Sequence, residues 1–287
     1  MATLAVLRPD GPQLVPAAEP VIRAEDVSLL RGEGVFETTS VFGGEPVELQ
    51  AHLTRLARSA AAIGLPLPPT ADFAATARLA VADWPEPDGV LRLVATKGGD
   101  GVEPVRFALV TPYPTTVAAQ RRAGLRAITL SFGIPAALRS AAAWLLGGVK
   151  STSYAVPMAG QRAAVDAGAD DCIWVSSDDE VLEASTSSVL VSTGGQLVTP
   201  PPADLGLLPS LTLARLRLLT EIVERRVSRA ELLAADEILL ASSVRGVVPV
   251  AVLDGVPRPL GARGRRLPDE LDRALRAAPA VLGDGTS

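Results

Sequence analysis

The sequence predicts a mixed protein of the α+β / α/β class, built as two lobes. Three observations predict it. The chain has 287 residues, long for one core and comfortable for two domains of about 150 residues each. Apolar residues alternate in strand-length segments and recur every three or four positions in helix-length ones. One segment, TPYPTTVAAQRRAG (111–124), breaks both patterns with two prolines. It places a linker at 116–124, between a lobe at 1–115 and a lobe at 125–287.

In the first lobe, TLAVLR (3–8) reads as a strand. VFETTSV (35–41) alternates and is β-branched, and GGE (43–45) suits a hairpin turn. Leu49, Leu53, Leu56, Ala60 and Ile63 fall at helical spacing, and Gly64 closes that helix over 49–65. A second helix is predicted from Thr70 or Asp72 to Ala82. VLRLVAT (90–96), VRFALVT (105–111) and LRAITLS (125–131) read as strands. In the second lobe a helix is predicted from about Ser153 to Ala167, with Pro157 near its first turn. CIWVS, EVLEAS, SSVLVST and QLVTP read as four short strands. LTLARLRLLTEIVERR (211–226) predicts one long helix, and DEILLASS and VVPVAVLDG a strand pair around the turn VRG. The tail beyond Ala277 reads as frayed.

Hydrophobic residues make up 48% and charged residues 21% of the chain, with a net charge of −5. That is the profile of a packed, water-soluble protein. It offers no basic face for a nucleic-acid backbone. No apolar run reaches the roughly 18 residues of a membrane span. MATLAVLRPDG lacks the basic lead-in of a signal peptide, so the expectation is a cytoplasmic protein. Cys172 is the only cysteine and His52 the only histidine, which excludes an internal disulfide and cysteine- or histidine-rich metal sites.

Lys97 and Lys150 are the only lysines; the remaining basic residues are arginines. Arginine replaces lysine as a solvated charge but not as a nucleophilic amine, because the guanidinium does not deprotonate. Lys150 ends the apolar, small-residue stretch WLLGGVK. Desolvation there favours the neutral amine that imine chemistry needs; a lysine snorkelling from a strand end is the plainer reading. Lys97, in ATKGGDG, reads as a solvated turn charge. Glu183 lies among apolar strand residues, where a carboxylate either faces water or has a cationic partner. Ser210, Leu211 and Thr212 open a helix whose N–H groups can hold phosphate, although Ser210 alone reads as an ordinary cap. Ser243 ends a strand, where a turn serine is the plain reading. Arg31-Gly32-Glu33-Gly34 enters a strand, so it is not a dinucleotide fingerprint; its glycines allow close approach of another backbone or a ligand. His52, three residues before Arg55 on one helix, reads as a packed helical histidine.

RGEGVFETTSVFGGEPVELQAHLTRLARSA resembles the N-terminal signature of the class IV (fold-type IV) pyridoxal-phosphate enzymes: branched-chain aminotransferases, D-amino-acid aminotransferases and aminodeoxychorismate lyases. The likeness continues through Lys150, EASTSSVLV, LVTPP, GLLPSLT and DEILLASSVRGVVPV, over residues 26–250. It implies a smaller N-terminal α/β sandwich, a larger C-terminal pseudo-barrel, pyridoxal 5′-phosphate as cofactor, and a homodimer. It also implies roles. Lys150 matches the lysine that holds the cofactor and shuttles protons. Glu183 matches the carboxylate facing the pyridine nitrogen. Arg55, Leu211, Thr212 and Ser243 match phosphate ligands, and Tyr154 lies near the ring 3-oxygen. Two positions depart from the family pattern: Ser188 stands for an asparagine and Ser210 for a glycine.

TKGGDGVEP lacks the arginine and histidine of D-amino-acid aminotransferases, and Arg31 replaces the tyrosine of branched-chain enzymes. Arg31, Arg92, Val244 and Arg245 are the candidate substrate contacts, and these arginines suit a small anionic substrate. VKSTSYAVPMA and GADDCIWVSSDDEVLEAS are most similar to aminodeoxychorismate lyases of high-GC bacteria. The resemblance therefore implies cleavage of aminodeoxychorismate to 4-aminobenzoate and pyruvate, in folate biosynthesis, with Lys150 as the base. The alternative is an aminotransferase acting on D-amino or branched-chain amino acids.

Overall fold

The computed structural model describes residues 2–277. The chain forms two compact units. One takes Met1–Pro114, Val149–Tyr154 and the chain from Ala274; the other takes Thr115–Gly148 and Ala155–Arg273.

The first unit contains β1 (Thr3–Arg8), β2 (Gly11–Val15), α1 (Val27–Arg31), β3 (Val35–Phe42), β4 (Glu45–Pro46), α2 (Leu49–Ala62), α3 (Thr70–Ala82), β5 (Gly89–Ala95) and β6 (Arg106–Pro112). Its strands pair antiparallel in the order β2-β1-β6-β5-β3-β4. The expected GGE turn forms: Gly43 and Gly44 have φ of 60° and 79°, the positive values that a tight hairpin requires at both central residues. α2 buries Leu49, His52, Leu53, Arg55, Leu56, Ser59 and Ala60, steps of three and four that define one face. Leu53, Leu56, Phe73, Leu91, Leu93 and Val110 share the core beneath it, each burial contributing about 1.5–3 kcal/mol.

The Val149–Tyr154 segment lies along the start of β3. Phe36 N–H donates to the Lys150 carbonyl at 3.1 Å and Thr152 N–H to the Gly34 carbonyl at 2.8 Å. A Cβ on Gly32 would collide with Ser153 Oγ, and one on Gly34 would lie 2.9 Å from Thr152 Oγ1. The Arg-Gly-Glu-Gly glycines therefore admit another backbone, the one that carries Lys150.

The second unit contains α4 (Val117–Ala123), β7 (Leu125–Ser131), α5 (Leu138–Ala141), α6 (Ala155–Asp166), β8 (Asp171–Val175), β9 (Val181–Ala184), β10 (Ser188–Thr193), β11 (Gln196–Thr199), α7 (Pro202–Leu205), α8 (Leu211–Leu216), β12 (Val223–Glu224), α9 (Arg229–Ala234), β13 (Glu237–Ser242), β14 (Gly246–Leu253), β15 (Val256–Pro257) and, as far as Arg273, α10 (Ala262–Ala277). Nine strands make a mixed sheet, β12-β11-β10-β13-β14-β7-β8-β9, with β15 on β14. β7 runs parallel to β14 and β8. Residues from β7 through β11, β13 and β14 share a single core, so the sheet curls around its own side chains in the manner of the expected pseudo-barrel.

One expectation needs correction. The helix predicted over 211–226 stops at Leu216. Leu218 and Leu219 N–H bond only three residues back, and Val223–Glu224 then joins β11 in parallel. β-branched Thr220, Ile222 and Val223 favour extension, and the edge of β11 supplies ladder bonds that further helix would forgo. The boundary between the units falls at Pro114–Thr115, just before the expected linker at 116–124; that stretch holds α4, and Val149–Tyr154 belongs to the first unit. α10 was not predicted; Leu267, Leu271 and Leu275 are buried at spacing four around an internal Pro268. The expected fraying beyond Ala277 lies outside the described residues.

Candidate active site

In the first unit the Lys150 side chain starts from a fixed backbone: its N–H donates to Ser59 Oγ of α2 at 3.1 Å. Lys150 Nζ lies 4.3 Å from the centre of the Phe36 ring and 5.6 Å from that of Tyr154. The two rings meet edge to face at 5.1 Å. Arg92 pairs with Thr38 in the β3–β5 register, and its guanidinium stands 5.8 Å from the same Phe36 ring. A cation above an aromatic face gains about 0.5–2 kcal/mol. Phe36 thus gathers an amine and a guanidinium on one surface.

Glu37 points to the opposite face of β3, the face that α2 covers. Its Oε1 accepts from Arg55 Nε at 2.7 Å, and its Oε2 accepts from Arg55 Nη2 and from His52 Nδ1, each at 2.7 Å. The three side chains are between 1% and 7% exposed. Burial pushes the Glu37 carboxyl up, but the bonds and charges of Arg55 and His52 together outweigh it. The group is brought from its ordinary 4.5 down to about 2. Burial pushes the His52 imidazole down; the bond and charge of Glu37 oppose this, while the cations Arg55 and Lys150 add to it. A neutral ring beside an ionised Glu37 carries its proton on Nδ1. His52 is therefore a packed helical histidine, as its position suggests, with a polar task. The carboxylate fixes the plane of the Arg55 fork.

In the second unit Glu183 Oε1 accepts from Arg139 Nη2 at 2.9 Å, and Oε2 from the Leu208 N–H at 3.4 Å. Arg139 also stacks over Phe132 at 4.7 Å. Of the two alternatives for a carboxylate among apolar strand residues, facing water or a cationic partner, Glu183 has the partner, Arg139, and keeps part of its surface exposed. Ser210 caps α8, its Oγ accepting from Leu213 N–H at 3.2 Å, so the plain reading accounts for it. Thr212 is buried, and Leu211, Ser243 and Val244 are half-buried.

Arg245, a candidate substrate contact, has its Nη2 2.5 Å from Asp171 Oδ2 and 2.6 Å from Ser187 Oγ. Lys97 is part-exposed, as a solvated turn charge would be, and its Nζ is 2.5 Å from Glu33 Oε2. Arg31 and Arg92 are exposed. The sequence reading missed Glu37, Arg139 and Asp171. Glu37 had a signal: strand alternation places it with Val35, Thr39 and Val41 on the buried face, where a carboxylate needs a cation.

Residues 34–253 match the class IV amino-transferase family. The chain belongs to that family. It is 39% identical over 204 residues to a bifunctional aminodeoxychorismate lyase / D-amino acid transaminase of Mycobacterium tuberculosis, covering 67% of this chain and 70% of the relative. A hypothetical aminotransferase from Mycobacterium tuberculosis has been solved in a PLP-bound form and in a form bound to α-ketoglutarate and PMP. Each is 33% identical, with a TM-score of 0.89 over 96% of this chain and 99% of that one. A fold IV-transaminase from Curtobacterium pusillum is 35% identical, with a TM-score of 0.87 over the same shares.

Class IV amino-transferases depend on pyridoxal phosphate, and this chain is such an enzyme, a lyase or an aminotransferase. The donor chemistry fits the cofactor. In the first unit a primary amine stands over an aromatic ring and a buried guanidinium is held in a fixed plane; in the second unit, taken by itself, a carboxylate on β9 is part-exposed and Thr212 and Ser243 carry hydroxyls.

Proposed function

We propose that this enzyme is a 4-amino-4-deoxychorismate lyase, giving 4-aminobenzoate and pyruvate. The observation that carries the reading is the exposed Arg92 guanidinium sharing the Phe36 ring with the Lys150 amine. A cation beside the reactive nitrogen suits a substrate bearing carboxylates. The 39% identity to a relative named for this lyase activity supports it.

In this reading the Lys150 amine would hold pyridoxal phosphate. Arg55, kept in plane by Glu37 and His52, would bind the phosphate, as would Leu211 N–H, Thr212 and Ser243. Glu183 would face the ring nitrogen, and Tyr154 would orient the ring oxygen. The bound cofactor supplies an electron sink for charge developing at the amine-bearing carbon. The Lys150 amine would take the proton from that carbon; the bond from the neighbouring ring carbon to the ether oxygen would break, the three-carbon group would leave as the enol of pyruvate, and aromatisation of the six-membered ring would make the step favourable. Arg92 orients a substrate carboxylate, with the exposed Arg31 as a second cation for the same class of ligand. We assign the protein to the cytoplasm and to folate biosynthesis as a homodimer; light scattering of the purified protein tests the dimer.

A second reading, an aminotransferase acting on D-amino or branched-chain amino acids, has its own support. The same relative is named for D-amino acid transamination, and the transaminase structures cover 96% of the chain. One experiment separates the two. Purified protein given aminodeoxychorismate should release 4-aminobenzoate and pyruvate in equal amounts. A shift of the bound cofactor to its pyridoxamine spectrum with D- or L-amino acids, without 4-aminobenzoate release, makes the aminotransferase the function. Lys150→Ala should abolish either activity, by at least about 10²–10⁴-fold.

A further inference from the structure

We infer that Arg245 is a positioning residue, which locks the Ser243–Gly246 turn to the Ser185–Ser187 loop by way of the buried Asp171, and that it does not anchor substrate. Asp171 opens β8 and is 0% exposed. Its Oδ1 accepts from Ser185 Oγ at 2.5 Å and from Cys172 N–H at 2.9 Å. Its Oδ2 accepts from Arg245 Nη2 at 2.5 Å. The same Nη2 donates to Ser187 Oγ at 2.6 Å and lies 3.4 Å from Thr186 Oγ1. One guanidinium nitrogen therefore joins the β13–β14 turn to the β9–β10 loop.

Charge decides against a substrate role. A buried carboxylate that loses its cation is strongly unfavourable. Drawing Arg245 towards a substrate would leave Asp171 in that state each time substrate bound. The Arg245 side chain is also only 14% exposed.

The turn is held from its backbone side as well. Arg121 Nε donates to the Arg245 carbonyl at 2.8 Å, and Arg121 Nη1 pairs with Asp272 Oδ1 of α10 at 2.5 Å. Gly246 has φ of +65°, and a Cβ there would stand 2.9 Å from Arg121 Nη2. Ser243 and Val244 thus sit on a turn clamped above and below. Glu183 lies two residues before the clamped loop. A change at Arg245 should disturb both segments together.

The test uses the full-length protein with Arg245→Ala, Asp171→Asn and the double variant. Thermal midpoints are read without cofactor, cofactor-free protein is titrated with pyridoxal phosphate, and kcat and KM are measured. The inference expects each single variant to lower the midpoint, and the double variant to lose no more than the worse single one, the signature of one shared interaction. It expects affinity for pyridoxal phosphate to fall by about tenfold. KM should change by less than about threefold while kcat falls. Arg245→Lys, which keeps a cation near Asp171, should recover part of the midpoint and guards against an unfolded alanine variant. The inference is overturned if Arg245→Ala raises KM more than about tenfold with midpoint and cofactor affinity unchanged, or if the two single losses add. The cofactor arm rests on the proposed function. Should the parent protein not take up pyridoxal phosphate, that reading fails, and the midpoint cycle still decides the clamp.

Discussion

Glu37 in the first unit and Glu183 in the second are both strand carboxylates bonded to an arginine, but their surroundings differ. Glu37 is 1% exposed and receives three side-chain donors at 2.7 Å. Glu183 is 22% exposed and receives one arginine N–H at 2.9 Å and one backbone N–H at 3.4 Å. A carboxylate in the first state is spent on structure: every strong donor that reaches it is itself buried and fixed. A carboxylate in the second state keeps room for another donor. The comparison teaches that the first cluster serves by holding Arg55 and His52 still, whereas Glu183 can serve by exchange with a ligand.

The largest effect expected from this contrast is at Glu37. Glu37→Gln keeps the shape and removes the charge, leaving the buried Arg55 without its counter-ion. The loss should be about 3–5 kcal/mol, read by urea unfolding at pH 7. A loss below about 1 kcal/mol would mean that water reaches the cluster, and the contrast with Glu183 would disappear.

Acid unfolding sharpens the same point. The folded Glu37 carboxyl sits near 2, below its ordinary 4.5. Its contribution is full above 4.5 and is lost as pH falls from there towards 2. The folded His52 imidazole is held below 6.5, so the unfolded chain takes up the proton first. Its contribution is full above 6.5 and declines as pH falls below that value. The slope reaches at most about 1.4 kcal/mol per pH unit. His52 is the only histidine, so comparing parent and variant isolates its share of the change from 6.5 to 5, where burial-raised Glu180 also takes up a proton. His52→Asn should flatten unfolding free energy across that interval. Equal slopes in parent and variant would refute a neutral, buried ring.

The sheet of the first unit was legible because its signals are local. Alternation in VFETTSV, a Gly-Gly turn and apolar steps of three and four in α2 each act within a few residues. Lys150 was legible through scarcity, since a chain that writes its cations as arginine exposes any lysine it keeps. The rest depends on contacts that no local pattern carries. Arg139 reaches Glu183 across 44 residues from a helix of four. Arg245 reads as an available cation until Asp171, 74 residues away, is seen beneath it. Over 211–226 the apolar spacing fits a helix as well as a helix, a turn and a strand, and only the edge of β11 decides. In α10, Pro268 masks a leucine repeat that burial makes plain.

The smallest effect, and the most discriminating, is expected at Arg139. Its side chain is 13% exposed, it makes one bond to Glu183, and its stack on Phe132 is apolar as much as ionic. Arg139→Ala leaves Glu183 with the Leu208 N–H and with access to water, so the carboxylate is not stranded. The cost should stay near 1 kcal/mol or below, in the range of part-solvated pairs, again by urea unfolding. Affinity for pyridoxal phosphate should fall more than stability does, because an unsupported Glu183 swings away from the direction in which Arg139 holds it. A stability loss equal to that of Glu37→Gln would show the two carboxylates to be equally closed, and Glu183 would then have no capacity left for a ring nitrogen.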